Sequence, residues 1–162
     1  MKVSYNVLKK YLPHLWSPQE IAELLTMHTA EVEEIHENNK HLEGVYIVKV
    51  LEVKKHPDSD KLNICKIIHN DTELQIICGA PNVRPWLITP LATIGTDLWE
   101  GFIIAKSEIR GEVSEGMLCG EDEIWLVTEK QDGIMELPAD APIWVNMKDY
   151  VLGSDSIIEV DN

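Results

Sequence analysis

Two different spacings of hydrophobic residues divide the chain. Near its start, apolar side chains recur three and four positions apart, which is the spacing of an amphipathic helix. These positions are Val3, Val7, Leu8, Tyr11 and Leu12. The spacing predicts a short first helix, for which Ser4 is a possible N-cap.

A second helix is predicted after the segment SPQE. Ser17 can cap it, Pro18 suits its first position, and Glu20 can reach back to the Ser17 amide. The two predicted helices share a narrow apolar stripe, formed by Leu8, Leu12, Ile21, Leu24 and Leu25. Such a stripe needs a partner surface. We expect it to pack on the β-rich part of the chain, on the terminal segment SIIEV or on a neighbouring chain.

From Glu31 onward the spacing becomes that of β-strands. The chain then carries β-branched runs separated by turn residues, namely GVYIVKVLEV, LNICKII, LQIICGA and IIAKSEI. The segment HNDT predicts a hairpin, because Asn70 and Asp71 tolerate positive φ. About five strands within roughly 100 residues, without helices of crossover length, favour a Greek-key barrel of the oligonucleotide-binding (OB) type. The predicted fold class is therefore mainly β with short helices (α+β).

The end of the chain is less regular. DGIMELP predicts a last strand, KDYVLG a short helix closed by Gly153, and SIIEVDN an extended segment.

Charge limits the partners that the chain can bind. Its 162 residues contain 14 Lys and Arg against 28 Asp and Glu, for a formal net charge of −14. A phosphate backbone repels carboxylates, so binding of nucleic acid requires basic residues gathered on one face. Apolar runs are too short to cross a bilayer and no secretion signal is recognisable, so we expect no membrane partner and a cytoplasmic location.

Cysteine and histidine chemistry gives little sign of a metal site. Cys65, Cys78 and Cys119 are widely spaced, lie in or beside apolar runs and form no Cys-x-x-Cys pair, so we interpret them as reduced core residues without zinc. HPDSDKL at 56–62 holds a His and two Asp, which could be metal ligands. Its Pro and Ser are typical of a turn, so we favour a solvent-exposed turn over a metal site.

The sequence motifs of nucleophilic catalysis and of phosphate-binding loops are absent, which favours a binding module.

Several segments together resemble one known family. MKVSYNVLKKYL and SPQEIAELLTMHTAEVEEI, followed by HPDSDKLNICKI, LQIICGAPNVR, KSEIRGEVSEGMLC and DGIMELPADAP, are similar in order and spacing to the N-terminal part of the bacterial phenylalanyl-tRNA synthetase β subunit, including its EMAP-like tRNA-binding domain. The resemblance runs from Met1 to about Asn162. Free-standing tRNA-binding modules share HPDSDKL and SEGM, whereas the helical start favours the synthetase subunit.

The resemblance implies a domain plan. Residues 1–40 would be half of a split domain, 41–151 the OB domain, and 152–162 the truncated start of the continuing domain. The family joins phenylalanine to tRNA with ATP and magnesium, using catalytic and editing sites outside the matched portion. We therefore expect this chain to have no activity and no cofactor by itself. Its expected partners are tRNA, the synthetase α subunit and the remainder of the β subunit, and not DNA.

The leading interpretation is an accessory tRNA-binding module whose contact face is formed by the second and third barrel strands with their flanking loops. The candidate RNA-binding residues lie in the matched motifs and can donate to phosphate or sugar oxygens. They are Lys61, Asn82, Arg84, Lys106, Arg110 and Ser114. For each, maintenance of a turn or of the barrel is the alternative role. The competing interpretation of the whole domain is a scaffold that packs against the rest of the synthetase with little RNA contact, and net charge favours it.

Three tryptophans depart from the family pattern. Trp86, Trp125 and Trp144 stand where the family commonly has glycine, and the chain holds five Trp but one Phe. A bulky L-residue in the left-handed region costs about 1 to 2 kcal/mol. One reading is drift at permissive loop positions. The other is that UGA codons meaning glycine were decoded as tryptophan, which predicts positive φ at these positions and indoles outside the core.

Overall fold

The fold consists of two compact units. A computed structural model describes residues 2–11, 16–28, 32–37, 39–99, 101–151 and 156–160. One unit comprises Met1–Lys40 together with Val151–Asn162, and the other comprises His41–Tyr150. Whether the first unit is half of a split domain stays a prediction.

The larger unit is built on a five-stranded antiparallel sheet. Its strands are β3 (Val45–His56), β4 (Ser59–His69), β5 (Thr72–Cys78), β6 (Ile88–Thr93) and β9 (Gly116–Leu118). Their order across the sheet is β5, β4, β3, β6, β9. A separate two-stranded hairpin is formed by β7 (Ser107–Ile109) and β8 (Glu112–Ser114), and the short helix α3 (Met147–Tyr150) ends the unit.

The two edges of this sheet approach each other. The amide of Glu115, just before β9, donates to the Gln75 carbonyl oxygen in β5 at 2.8 Å. One such contact brings the edges together without a continuous ladder, so the unit is an OB-like barrel that is not fully closed. The mainly β fold class with short helices is thereby confirmed.

The barrel encloses an aliphatic core. Residues of β3, β4, β5 and β6 form this core. The fully buried members of this core include Val48, Val50, Cys65, Ile67, Ile76 and Leu91. The β4–β5 hairpin turns as predicted: His69 pairs with Thr72, and Asn70 and Asp71 have φ of 47° and 61°.

All three cysteines are buried, and none forms a disulfide. Burial raises the pKa of the Cys119 thiol far above its ordinary value, so it stays protonated at neutral pH. The prediction that the cysteines are reduced core residues is confirmed.

The smaller unit combines two helices with three strands. Its elements are β1 (Lys2–Ser4), α1 (Tyr5–Tyr11), α2 (Pro18–His28), β2 (Val32–Glu37) and β10 (Ser156–Val160). Strand β10 lies between β1 and β2 and is antiparallel to both. On the helical side, Ile21 and Leu25 pack with Ile158 of the SIIEV segment, one of the three predicted covers for the apolar stripe. Leu12 lies outside the described residues.

The predicted capping box is present at α2. The Ser17 amide donates to the Glu20 carboxylate at 2.7 Å, and the Glu20 amide donates to the Ser17 hydroxyl oxygen at 3.3 Å. The hydrogen bond from the Ser17 amide lowers the pKa of Glu20, since it favours the charged carboxylate.

Two local predictions are wrong. Val3 belongs to β1 and pairs with Ile158 instead of starting a helix, because a strand 155 positions later supplies the ladder. DGIMELP forms no regular strand: Leu137 makes an isolated bridge to Ile88, and the Met135 amide donates to the Cys119 carbonyl oxygen at 2.9 Å. The helix predicted at KDYVLG is present as α3, while Gly153 lies outside the described residues.

Candidate nucleic-acid interface

The turn between β3 and β4 is tied to the β7–β8 hairpin. His56 is 4% exposed. Its Nδ1 accepts from the Asp58 amide at 3.0 Å, which makes Nε2 the protonated nitrogen that donates to the Ile109 carbonyl oxygen at 3.0 Å. From the hairpin, Arg110 Nη1 donates to the Asp58 carbonyl oxygen at 2.8 Å. Two segments about 50 residues apart thus form one surface, which we call the two-loop platform (residues 55–61 and 107–112).

The hairpin of the platform has a two-residue turn. Ile109 pairs with Glu112, and Arg110 and Gly111 between them have φ of 52° and 86°. Positive φ at both central positions is typical of the I′ turn, which matches the twist of the flanking strands. This backbone projects the Arg110 guanidinium toward the β3–β4 turn.

Lys61 lies at the start of β4 on the same platform. Its amide donates to the Ser59 hydroxyl oxygen at 3.3 Å, while its side chain is exposed. Lys55 approaches the Asp60 carbonyl oxygen at 3.5 Å. The platform therefore presents the cations of Lys55 and Arg110 beside backbone carbonyl groups, together with the exposed side chain of Lys61. None of the three is paired to a carboxylate in any contact found among the described residues.

Asn82 and Arg84 belong to a different network. The Asn82 side chain donates to the Ile134 carbonyl oxygen at 2.8 Å and accepts from the Ile134 amide at 3.0 Å. Arg84 donates to both carboxylate oxygens of Glu136 at 2.8 Å. These contacts fasten the turn after β5 to the segment after Gly133, which is the structural role weighed for these residues.

This pairing has an acid-dependent consequence. The Arg84 guanidinium, and then the Asn82 amide, donate to the carboxylate of Glu136 and lower its pKa from 4.5 to about 2. Since the folded pKa is below the unfolded value, the pair stabilises the fold above about pH 4.5, and its contribution disappears as the pH falls toward 2. We expect the difference in free energy of unfolding between the parent chain and Arg84→Met to shrink across this window, as measured by urea unfolding at several pH values.

A matched control is Lys130→Met, which removes one positive charge from another exposed side chain. Its difference from the parent should stay nearly constant across the same window. Parallel pH profiles for Arg84→Met and Lys130→Met would contradict the role assigned to the Arg84–Glu136 pair.

Lys106 and Ser114 are also engaged within the protein. Lys106 forms an ion pair with Glu115 at 3.1 Å, which lowers the pKa of that carboxylate, with a further contribution from the Gln75 amide. Ser114 is 2% exposed; its hydroxyl accepts from the Ile77 amide and donates to the Gly116 carbonyl oxygen, both at 3.0 Å. It thus joins β8 to β5 and β9, and its RNA contact stays a prediction, as do those of the other candidates.

The outer face of β3, β4 and β5 carries a groove of about 440 Å³. Its charged lining residues are Glu52, Lys54, Lys66, Glu73, Glu112 and Glu115. Both lysines are paired to carboxylates: Lys54 to Glu52, and Lys66 to Glu73 at 3.0 Å. Carboxylates outnumber ammonium groups here, so this face repels phosphate.

Sequence reasoning missed the roles of two residues, His56 and Glu136. His56 and Glu136 each form hydrogen bonds with a residue more than 50 positions away, and no local sequence pattern predicts such contacts.

The HPDSDKL segment forms the predicted turn. Within the described ranges, no three His, Cys, Asp or Glu side chains are placed to hold a metal ion. In the same ranges, every helix is too short or too polar to cross a lipid bilayer.

Comparison with known proteins gives consistent matches. Residues 45–144 match the family described as "Putative tRNA binding domain". The chain is 40% identical over 161 residues to the "Phenylalanine--tRNA ligase beta subunit" of Hahella chejuensis, and 45% identical over 169 residues to the protein of that name from Porphyromonas gingivalis. Each alignment covers 99% of this chain and 20% of the relative, so the chain spans about a fifth of the length of these curated relatives.

Among solved structures, a MetRS related protein from Pyrococcus horikoshii aligns with a TM-score of 0.46 and 15% identity. That alignment covers 63% of this chain and 86% of the other.

Proposed function

The chain belongs to the family of putative tRNA-binding domains, and from that premise we propose that its barrel contacts tRNA through the two-loop platform, as an accessory module of a phenylalanyl-tRNA synthetase. The observation that carries this proposal is the family match, which covers both platform loops and all five strands of the large sheet. The chain is homologous to a region of phenylalanine–tRNA ligase β subunits. The platform supplies the local cations that a chain of net charge −14 needs for contact with phosphate.

The pairing of the cations, and not the count of charges, favours the platform over the open sheet face, since the platform also holds Asp58, Asp60, Glu108 and Glu112. On the sheet face, phosphate would meet an excess of carboxylates whose nearby lysines are already paired. On the platform, the Lys61 side chain is exposed. One N–H group of Arg110 donates to a backbone carbonyl oxygen, so no carboxylate compensates the positive charge of its guanidinium. A guanidinium has five N–H donors, so Arg110 can hold the turn and still donate to a phosphate oxygen.

The remaining candidates differ in availability. Asn82, Arg84 and Lys106 would have to exchange or share their present partners in order to bind RNA. For these residues and for Ser114, we propose that holding the barrel together is the main role. Lys61 and Arg110 are the primary contacts in this proposal.

In the assembled enzyme, the module would sit beside the α subunit and the remainder of the β subunit. ATP and magnesium would act on those parts, and the barrel would hold tRNA without catalysing a step. We expect this assembly to work in the cytoplasm, where aminoacyl-tRNA is consumed.

A second function has its own supporting observation. Ile94, Phe102 and Ile103 are exposed on the loop between β6 and β7, and Phe102 stacks on Trp99 with ring centroids 4.3 Å apart. Apolar side chains of this kind favour contact with a protein surface. In that case the barrel is a scaffold within the synthetase, and RNA binding is negligible.

Titration with tRNA separates the two functions. The chain is titrated in an electrophoretic assay at about 50 and about 200 mM salt, and we expect binding that weakens steeply with salt. Lys61→Gln should weaken binding at both concentrations, and should reduce the slope of log K against log salt by about 0.7 to 0.9 if one phosphate contact is lost.

Lys130→Gln is the matched control, because it removes the same charge at a lysine that lines a different groove, beside Gly133. It should leave the slope unchanged. Absence of binding at the lower salt concentration would contradict the tRNA proposal and support the scaffold. Equal effects of the two substitutions would contradict the platform as the contact site.

A further inference from the structure

Trp86 occupies the glycine position of a β-turn. Pro85 is the second residue of the turn and Trp86 the third, with φ of 71°, while the Leu87 amide donates to the Arg84 carbonyl oxygen at 3.4 Å. Proline at the second position followed by positive φ at the third is the signature of a type II turn. That third position requires glycine or asparagine.

Trp125 occupies the glycine position of a turn at residues 121–126 that has the hydrogen bonds of a helix C-cap. The Leu126 amide donates to the Glu121 carbonyl oxygen at 2.9 Å, and the Trp125 amide donates to the Asp122 carbonyl oxygen at 3.3 Å. This pair of hydrogen bonds defines the Schellman motif, and Trp125 is its left-handed residue, with φ of 60°. Glycine is the usual residue there because it has no Cβ to strain.

Trp144 repeats the backbone arrangement of Trp86. Its φ is 69°, and its amide donates to the Ile47 carbonyl oxygen at 2.6 Å, just as the Trp86 amide donates to Val50 at 2.7 Å. Both turns therefore bring a left-handed residue onto the backbone of β3. At each site the backbone amide of the tryptophan, and not its side chain, makes the hydrogen bond to β3.

The barrel makes little use of the three indoles. Trp86 is 70% exposed, Trp125 66% and Trp144 40%. A tryptophan kept for packing buries a large apolar area, which Trp86 and Trp125 do not, although the Trp125 ring lies 6.5 Å from that of His41. Only the Trp144 indole makes a hydrogen bond, from Nε1 to the Ile68 carbonyl oxygen at 3.0 Å, among the contacts found in the described residues.

Left-handed tryptophans are also statistically out of place. A few per cent of non-glycine residues have positive φ, and Asn and Asp are enriched among them. The other such residues in the described ranges are Asn39, Asn70, Asp71 and Arg110. Three of the five tryptophans of the chain join this set, each in a turn. Independent drift would have to reach the same improbable outcome three times.

We propose that positions 86, 125 and 144 are glycine in the protein that its source cells make. Their codons are UGA, read by those cells as glycine and not as tryptophan. Reading one UGA codon as tryptophan instead of glycine exchanges these two residues at every position that the codon specifies. Trp99 lies outside the proposal, because its φ is not positive and its ring stacks on Phe102.

The substitution matters for the proposed RNA contact. Exposed aromatic rings stack on unpaired bases without regard to sequence. The indoles of Trp86 and Trp125 would add such binding to any assay of the tryptophan form. The glycine form is the protein on which RNA affinity has to be measured.

A comparison of glycine and alanine substitutions isolates the backbone effect. At each of positions 86, 125 and 144, Trp→Ala and Trp→Gly both remove the indole, but only glycine removes the Cβ that strains a left-handed residue. We expect the glycine variant to melt higher than the alanine variant by about 2 to 8 °C at each position. Trp99 is the control position. There the glycine variant should melt no higher than the alanine variant, because glycine only raises the conformational entropy of the unfolded chain.

A glycine variant that melts no higher than its alanine counterpart overturns the proposal for that position. The codons decide the second half of the proposal. UGA at all three positions with UGG at position 99 supports it, and UGG at any of the three overturns it there. The mass of the peptide containing each position, from protein isolated from the source cells, gives the same decision without the gene.

Discussion

Replacing Gly133 by alanine should lower the free energy of unfolding by about 2 to 3 kcal/mol. Gly133 has φ of 114°, which costs an L-residue about 1 to 2 kcal/mol. An added Cβ would also lie 2.9 Å from Cγ of Asn82, so that side chain must move away. Its two hydrogen bonds to the Ile134 backbone are then weakened, at a further cost of about 1 kcal/mol. Urea unfolding at neutral pH measures the sum.

Gly95→Ala provides the control for this prediction. Gly95 also has positive φ, at 92°, but nothing lies within 4 Å of the Cβ that alanine would add. It should therefore show the backbone cost of about 1 to 2 kcal/mol alone. If the two variants lose the same stability, the Asn82 network contributes nothing at this site.

Replacing Ile76 by alanine should lower the free energy of unfolding by about 2 to 5 kcal/mol. Ile76 is fully buried in the barrel core, on the strand β5 that closes toward β8 and β9. The substitution removes three carbon atoms from a close-packed interior and leaves a cavity that its neighbours fill only in part. Chemical denaturation measures the loss, and the midpoint should fall with little change in slope.

The matched substitution is Ile94→Ala, which removes the same atoms from a side chain that is 51% exposed. Its effect should lie within about 0.5 kcal/mol of zero. Similar losses at Ile76 and Ile94 would show that the barrel core does not hold this unit together.

The candidate site illustrates how one residue type serves different roles. Arg84 and Arg110 were indistinguishable as sequence candidates, since each is a cation in a matched motif. The structure pairs Arg84 with a carboxylate and Arg110 with a carbonyl oxygen. Pairing with a carboxylate neutralises a cation toward RNA, whereas a neutral carbonyl leaves its charge in place. That difference is why Arg110 is the stronger RNA contact in our proposal.

The sequence by itself determined the features that depend on neighbouring residues. The Asn70–Asp71 turn and the Ser17–Glu20 capping box form between groups within three positions of each other, so their residue types are sufficient to predict them. The positive φ of the three tryptophans was predicted from their departure from the family's glycine pattern, whereas the turns that contain them were seen only in the structure.

Only the tertiary structure decided which distant segments meet. Val3 is a strand residue because β10 pairs with it, and His56 is held by a carbonyl group 53 positions away. Strand pairing and side-chain networks depend on which distant segments the chain topology brings together. A local pattern of polar and apolar residues does not predict which segments these are. The same reason explains why Arg84 and Arg110 have different partners. The sequence gives each residue its charge, but the fold decides whether a carboxylate or a carbonyl oxygen lies next to it.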